Sequence, residues 1–229
     1  MKKFLNYFTT IEKILWCSSV LLIITSFMIF DRENYLTLLA SLIGVTSLIF
    51  CAKGNPIGQV LMVLFSIVYG IISYSFAYYG EMITYLGMSG PMAAFALIAW
   101  LKNPYKGKKS QVKVNKISKE EIVFMLIISV VVTILFYFIL KYFGTANLIP
   151  STLSIITSFI AVYLTFRRSP YFAFVYAIND LVLIVLWILA TLTDINYVSV
   201  LICFIVFFIN DIYGFISWLK MEKLQKNNM

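Results

Sequence analysis

The sequence predicts an all-α integral membrane protein with eight transmembrane helices. Hydrophobic residues make up 62% of the chain and charged residues only 12%, whereas soluble domains average about 45–50% and about 25%. Eight apolar segments, each long enough to cross a bilayer as a helix, alternate with short polar segments. The basic residues are concentrated in every second polar segment, as expected when successive helices cross a membrane in opposite directions.

The predicted spans cover about residues 14–30, 35–52, 57–79, 81–101, 122–142, 148–166, 170–193 and 196–219. The first follows three lysines, as a signal peptide would, but it is long and ends in Phe30-Asp31-Arg32 without a small-x-small cleavage site. We therefore interpret it as a helix that stays in the protein. Gly87 and Gly90-Pro91 interrupt the fourth span.

The positive charges predict the orientation of the chain. With both termini in the cytoplasm, only Arg32 and Lys141 of the 18 Lys and Arg residues fall outside, which leaves 16 inside. Short loops rich in Lys and Arg resist translocation, so this asymmetry favours cytoplasmic termini. The lysine-rich segment 102–121 is accordingly predicted to be a cytoplasmic loop that faces anionic lipid. It lacks the interleaved aromatic residues and arginines of a nucleic-acid site, so we expect no nucleic-acid partner.

Two pairs of matching segments indicate an internal repeat. Both the fourth and the eighth span end in I-x-W-L-K, at residues 98–102 and 216–220, and the basic-to-proline turns 53–56 and 167–170 also correspond. Spans two to four therefore repeat as spans six to eight, and span five, as the linker, makes the triplets parallel. The predicted units are an extra N-terminal helix (1–34), a first triplet (35–101), a basic loop with the linker helix (102–146) and a second triplet with its tail (147–229).

Carboxylates near the middle of spans seven and eight predict a ligand-binding layer. A charge at that depth costs about 2.5–3.5 kcal/mol on insertion scales, so it is rarely kept without a use. Both spans read N-D-x6-W, which places the Asp and Trp on one helix face. The first triplet adds polar groups in span three. The predicted substrate-binding residues are Tyr176, Asn179, Asp180, Trp187, Asn210, Asp211, Gln59 and Tyr69.

Other polar and aromatic positions have simpler interpretations. Trp100 and Trp218, near the ends of their spans, are typical of an interfacial aromatic belt. Glu81, at the outer end of the fourth span, is expected to be solvated. The serines and threonine of span six are typical of close helix packing: Ser151, Ser154, Thr157 and Ser158.

The residue inventory argues against enzymes and metal sites. The chain has no histidine, and Cys17, Cys51 and Cys203 are isolated in apolar stretches. We therefore predict no catalytic residues, no metal and no cofactor. The Asp pair keeps an intramembrane aspartic enzyme open as an alternative, and a structural or signalling protein is another. An amide, carboxylates and aromatic rings together suit a small aromatic solute with amide or hydroxyl groups, including a cationic ring.

The stretches FVYAINDLVLIVLW (174–187) and INDIYGFISW (209–218), with the basic-to-proline turns, resemble the PnuC-type vitamin transporters. The resemblance covers about residues 35–220 and implies the 3+1+3 parallel-repeat fold of the SWEET sugar transporters, with the N-terminal helix added. It implies uptake of nicotinamide riboside by facilitated diffusion in the bacterial cytoplasmic membrane, with phosphorylation trapping the substrate. The bilayer and a small-molecule substrate are then the partners, and the family implies a homotrimer.

The chain departs from the family at one motif. The sixth core helix of the family often carries W-x2-W-x3-N, whereas alignment on Asp180 places Ala173 and Tyr176 at the tryptophan positions. Alignment on Asn179 places Phe172 and Val175 there. Thiamine and riboflavin, which relatives are thought to carry, therefore remain alternative substrates, and proton coupling remains an alternative mechanism.

Overall fold

The computed structural model describes residues 7–75, 79–145 and 147–228. A π-helical turn, Tyr85–Ser89, joins α4 (Tyr79–Thr84) to α5 (Gly90–Lys102), and a 3-10 turn, Ile195–Tyr197, precedes α9 (Val198–Asn227). Among these residues, eight helical units are long and apolar enough to cross a membrane, with α4, the π turn and α5 forming one unit, which confirms the predicted fold class. The helices are α1 (Thr10–Phe30), α2 (Tyr35–Ala52), α3 (Ile57–Ser75), α4 (Tyr79–Thr84), α5 (Gly90–Lys102), α6 (Lys119–Tyr142), α7 (Leu148–Phe166), α8 (Phe172–Thr191) and α9 (Val198–Asn227).

Six of these helices pack as a closed ring. Along the ring, α2 contacts α3, α3 contacts α5, α5 contacts α7, α7 contacts α8, α8 contacts α9, and α9 returns to α2. The short helix α4, which continues into α5 through the π turn, packs against α3. Two further helices lie outside the ring: α1 against α2 and α9, and α6 against α4 and α7. The first triplet thus supplies one half of the ring and the second triplet the other.

The predicted basic loop contains a short β hairpin, so the prediction of an all-α chain is incomplete there. β1 (Pro104–Tyr105) pairs antiparallel with β2 (Lys108–Val112). Lys106 and Gly107 make the turn with φ angles of 47° and 74°, a backbone region that glycine adopts at little cost. The polar sequence hides this hairpin because its one fully buried side chain, Val112, carries too little apolar signal to predict a strand.

The two basic-to-proline turns have the same backbone geometry, as a repeat requires. Gly54 and Arg168, which are 114 residues apart, have φ angles of 64° and 57°. The next residue in each turn donates its N–H to the helix that precedes it: Asn55 to the Phe50 carbonyl at 3.0 Å, and Ser169 to the Leu164 carbonyl at 2.9 Å. Both helices therefore end in the same left-handed cap, which satisfies carbonyls that the helix leaves open.

Trp100, near the C-terminal end of α5, and Trp218 of α9 are buried at the junction of the triplets. Trp100 Nε1 donates to the Thr165 carbonyl at 2.9 Å, and Trp218 Nε1 donates to the Cys51 carbonyl at 2.7 Å. Their rings lie 5.4 Å apart, and both side chains are 0% exposed. The prediction of an interfacial belt is wrong for these two residues, because each indole N–H finds its partner at the end of a helix in the opposite triplet.

We call this end of the ring the basic end, since the turns 53–56 and 167–170 and the segment 102–119 lie there. The C-terminal ends of α2 and α7 both reach it, which makes these equivalent helices parallel. Matching ion pairs also lie at this end. Glu12 of α1 binds Lys53, and Glu121 of α6 binds Arg167, so α1 contacts the first turn as α6 contacts the second.

The starts of α1 and α6 are alike as well. Thr9 Oγ1 accepts the Glu12 N–H at 3.2 Å, and the Glu12 carboxylate accepts the Thr9 N–H at 2.7 Å. Ser118 Oγ likewise accepts the Glu121 N–H at 3.2 Å. This S/T-x-x-E arrangement satisfies N–H groups that the first helical turn leaves open. The N-terminal helix, which the sequence predicts as an addition to the core, therefore has the same type of cap and the same type of ion pair as the linker helix.

Replacing Glu12 with Gln is expected to destabilise the attachment of α1. The Glu12 side chain is 4% exposed and that of Lys53 is 18% exposed, so the ammonium would lose its counter-charge in a poorly hydrated place. We expect a loss of about 1–3 kcal/mol, measured as a lower melting temperature of the purified protein in detergent. Glu33→Gln, at an exposed position, is the control, and equal melting temperatures for both variants would contradict the prediction.

Candidate functional site

A cavity of about 140 Å³ lies within the ring and is lined from all six of its helices. A single water needs about 10–15 Å³ on this measure, so the cavity can hold several waters or a small organic solute. Seven of the eight predicted site residues line it: Gln59, Tyr69, Tyr176, Asn179, Asp180, Trp187 and Asp211.

Asn210 is the predicted site residue that the structure does not bring into the cavity lining. Its Nδ2 donates to Ser19 Oγ of α1 at 2.9 Å and to the Val206 carbonyl at 2.8 Å. Successive residues on a helix point about 100° apart, so Asp211 faces the cavity while Asn210 faces α1. The two residues of the Asn-Asp motif in α9 therefore have different roles: the Asn210 amide joins α9 to α1, and the Asp211 carboxyl group lines the cavity.

Asp180 and Asp211 form the electrostatic centre of the cavity. They are 4% and 5% exposed, and their carboxyl groups lie within hydrogen-bonding range of each other. Two carboxyl groups this close attract each other only when they share a proton, because two ionised groups would repel. Asp180 Oδ2 has no hydrogen-bond partner among the described residues, so the pair presents an acceptor to whatever occupies the cavity.

Asn179 is held in one orientation by α7. Its Oδ1 accepts hydrogen bonds from Thr157 Oγ1 at 2.7 Å and from Ser158 Oγ at 3.0 Å. Contacts with two hydroxyl groups of the same helix fix the position of this side chain against α7. Asn179 lines the cavity, so its amide group can donate to a ligand that offers an acceptor.

Aromatic side chains line much of the remaining cavity wall. Phe65, Tyr69 and Tyr85 form a cluster in which Tyr69 lies 4.9 Å from Phe65 and 4.7 Å from Tyr85 between ring centroids. Trp187 stacks on Phe204, with centroids 6.3 Å apart and an interplanar angle of 13°. Planar walls of this kind suit a flat ring and, through their negative faces, a cationic one.

The fourth span contributes five lining residues that are not among the predicted site residues: Glu81, Thr84, Tyr85, Ser89 and Ala93. Its interruption is a π turn in which the Gly90 N–H donates to the Tyr85 carbonyl, five residues earlier. Pro91 follows directly, and proline has no N–H with which to continue an α-helical ladder. Because a π turn inserts an extra residue, it changes which side chains face inward, and such turns are frequent at functional sites.

The serine stripe of α7 also lines the cavity, contrary to its interpretation as packing alone. Ser151, Ser154 and Ser158 all belong to the lining. Their spacing of three and four residues, which places them on one face, is the signal that could have predicted this. Glu81 was expected to be solvated, but it lines the cavity and is only partly exposed.

The floor of the cavity lies toward the basic end. Gln59 Nε2 donates to Cys51 Sγ at 3.3 Å, and both residues line the cavity together with Phe172. The Phe172 ring lies 4.9 Å from the Trp218 ring and 6.2 Å from the Trp100 ring. The tryptophan pair therefore closes the cavity on this side.

Comparison with known proteins identifies relatives of this chain in both structure and sequence. A solved structure, described as the crystal structure of the vitamin B3 transporter PnuC, matches with a TM-score of 0.80 and 21% identity, and the match covers 95% of this chain and 94% of that one. The nicotinamide riboside transporter PnuC of Neisseria mucosa is 24% identical over 200 residues, which are 85% of this chain and 76% of that protein. The family model of the nicotinamide mononucleotide transporters matches residues 34–220. The chain therefore belongs to the nicotinamide mononucleotide transporter family.

Proposed function

We propose that this protein carries nicotinamide riboside across the bacterial cytoplasmic membrane, with both termini in the cytoplasm. The observation that carries the proposal is the central cavity, where a buried carboxyl pair and an oriented amide face aromatic walls. Membership of a transporter family supports this function over the intramembrane enzyme that the Asp pair alone left open. The homotrimer implied by the resemblance stays a prediction.

The chemistry of nicotinamide riboside matches the groups in the cavity. Its pyridinium ring is a flat cation, which the Asp180–Asp211 pair would balance and Trp187 would face. Its carboxamide oxygen is an acceptor for the Asn179 amide nitrogen. Its ribose hydroxyls would donate to the open acceptor at Asp180 Oδ2. Tyr176, one helical turn from Asp180 toward the basic end, would contact either the ring or the ribose.

The charge of the cavity favours the riboside over the mononucleotide named in the family description. A phosphate group needs positive partners in a buried site, yet no described lining residue is Lys or Arg. A phosphorylated substrate would instead meet the carboxyl pair and be repelled. This repulsion also supports trapping: once phosphorylated in the cytoplasm, the product would no longer fit the cavity that admitted it.

Binding by the purified protein tests the substrate. We expect nicotinamide riboside to bind, and nicotinamide mononucleotide to bind at least tenfold more weakly because of its phosphate. Isothermal titration measures both, and thiamine and riboflavin form the comparison set. Thiamine is a fair competitor, since it also carries a cationic aromatic ring. Binding of the mononucleotide as tight as that of the riboside, or tighter binding of either vitamin, would overturn the assignment.

Facilitated diffusion predicts uptake that stops when the internal and external concentrations are equal. Vesicles containing the protein should fill with nicotinamide riboside to that level whether or not a proton gradient is imposed. The buried Asp pair, which can hold a proton, is the observation that favours the alternative of proton coupling. Accumulation above the external concentration that disappears with a protonophore would establish that alternative instead.

A further inference from the structure

Residues 108–116, which we call the strap, join the two halves of the ring at the basic end. The Val112 N–H donates to the Gly54 carbonyl at 2.9 Å, and the Asn115 N–H donates to the Arg168 carbonyl at 3.0 Å. Gly54 and Arg168 are the equivalent residues of the two basic-to-proline turns. One short segment therefore makes the same hydrogen bond to each half.

Side chains and further backbone groups hold the strap in place. Gln225 of α9, only 4% exposed, accepts the Val114 N–H at 2.9 Å and donates to the Val112 carbonyl at 3.0 Å. The Lys113 N–H donates to the Asn103 carbonyl at 2.8 Å, and Arg168 Nε donates to the Lys113 carbonyl at 3.1 Å. The strap is thus bonded to elements of both triplets.

Val112 fills the space beneath the tryptophan pair. Its side chain is 0% exposed and packs in one apolar cluster with Trp100, Trp218 and Met221. A Cβ at Gly54 would lie 3.2 Å from Val112 Cγ1, so the turn and the strap are in close contact. From the cavity toward the basic end, the order is Phe172, then the tryptophan pair, then Val112 and the strap.

A solute that leaves the cavity toward the basic end must pass between the two tryptophans and then the strap. Each tryptophan is hydrogen-bonded to the opposite triplet, and the strap bonds both turns, so the halves cannot separate at this end while these contacts persist. The strap is mostly polar, and its backbone groups can bond water once released. We propose that the strap is the gate of the basic end. When closed, the strap holds the two halves together, and it releases one of the two basic-to-proline turns when the cavity opens.

This inference rests on the proposed transport function, but a test that needs no substrate can separate the two. Cys51 lines the cavity floor next to the tryptophan pair, whereas buried Cys203 packs in a different apolar cluster, with Phe204 and Phe207 and away from the strap. With exposed Cys17 replaced by Ser, a membrane-impermeant maleimide added from the basic side reports opening at that end through Cys51. Its reaction with Cys203 reports general loosening.

We expect Val112→Ala and Gln225→Ala to raise the rate of Cys51 labelling about tenfold and to leave Cys203 labelling unchanged. Lys109→Ala, at an exposed position of the same strap, is the matched control and should change neither rate. Unchanged Cys51 labelling in both variants, or equal increases at Cys51 and Cys203, would overturn the gate. If Cys51 responds as expected but nicotinamide riboside does not bind, the substrate assignment fails and the gate stands.

Discussion

Asp180→Asn is expected to lower the affinity for nicotinamide riboside about tenfold to a hundredfold while the protein still folds and inserts. The substitution keeps the shape of the side chain but replaces one buried acceptor oxygen with an NH₂ donor. Asp180 Oδ2 is the acceptor that has no partner among the described residues. A hydrogen bond to a charged group contributes about 1.5–3 kcal/mol, and each 1.4 kcal/mol is a factor of ten in affinity. Titration of the purified variant measures the change, and uptake by vesicles should fall in parallel.

Two companion variants make this prediction specific to the cavity. Asp194→Asn changes an exposed carboxylate beyond the end of α8, where an amide can keep the cap, so it should bind the riboside normally. Asp180→Asn/Asp211→Asn removes both carboxyl groups and should reduce binding of the cation further than either single change. Wild-type affinity in the Asp180→Asn protein would remove that residue from the site.

Gly58→Ala is expected to have the second large effect, on the packing of α2 against α3. A Cβ at Gly58 would lie 2.5 Å from Cys51 Sγ, 2.7 Å from the Cys51 backbone nitrogen and 3.0 Å from the Ser47 carbonyl oxygen. Backbone atoms cannot rotate away as a side chain can, so the helices would have to separate. Overpacking of this kind costs about 1–3 kcal/mol. We expect a lower melting temperature and, because neighbouring Gln59 and Cys51 line the cavity floor, weaker binding.

Gly87→Ala is the control for this substitution. A Cβ at Gly87 would meet only Ile83 Cγ2, at an ordinary contact distance of 3.7 Å. The two variants add the same methyl group to a helical glycine, so a difference between them reports the close approach of α2 and α3. Equal melting temperatures for Gly58→Ala and Gly87→Ala would show that the helices can separate freely at this point.

The spans and the repeat could be predicted because they depend on local composition and spacing. A stretch of about twenty apolar residues must form a helix in a bilayer, since no water is present to satisfy its backbone. The matching turns at residues 53–56 and 167–170 could be recognised as equal sequences, and they do have equal backbone caps. Gly90-Pro91 predicts an interruption of the fourth span, but it does not predict the π turn or the residues that this turn places toward the cavity.

Which partner a polar side chain meets could not be predicted in the same way. Asn179 and Asn210 occupy the same place in the same motif, yet one lines the cavity and the other binds Ser19 of α1. The difference arises because α9 packs against α1 whereas α8 packs against α7, and the sequence does not state which helices are neighbours. The position of the α7 serines could not be predicted for the same reason, because a stripe of small residues has the same sequence pattern whether it faces a helix or a cavity.

An eight-span membrane protein with a repeated triplet and carboxylates in the middle of its last two spans could be inferred from the order of the amino acids alone. These properties follow from hydrophobic length, charge asymmetry and residue spacing, which need no knowledge of tertiary contacts. The packing of the helices was needed to show that Trp100 and Trp218 meet at the basic end and that the polar segment beside them forms a strap across both halves. Those contacts join residues at least 53 positions apart, the separation of Asn115 and Arg168, and their formation depends on how the helices close into a ring.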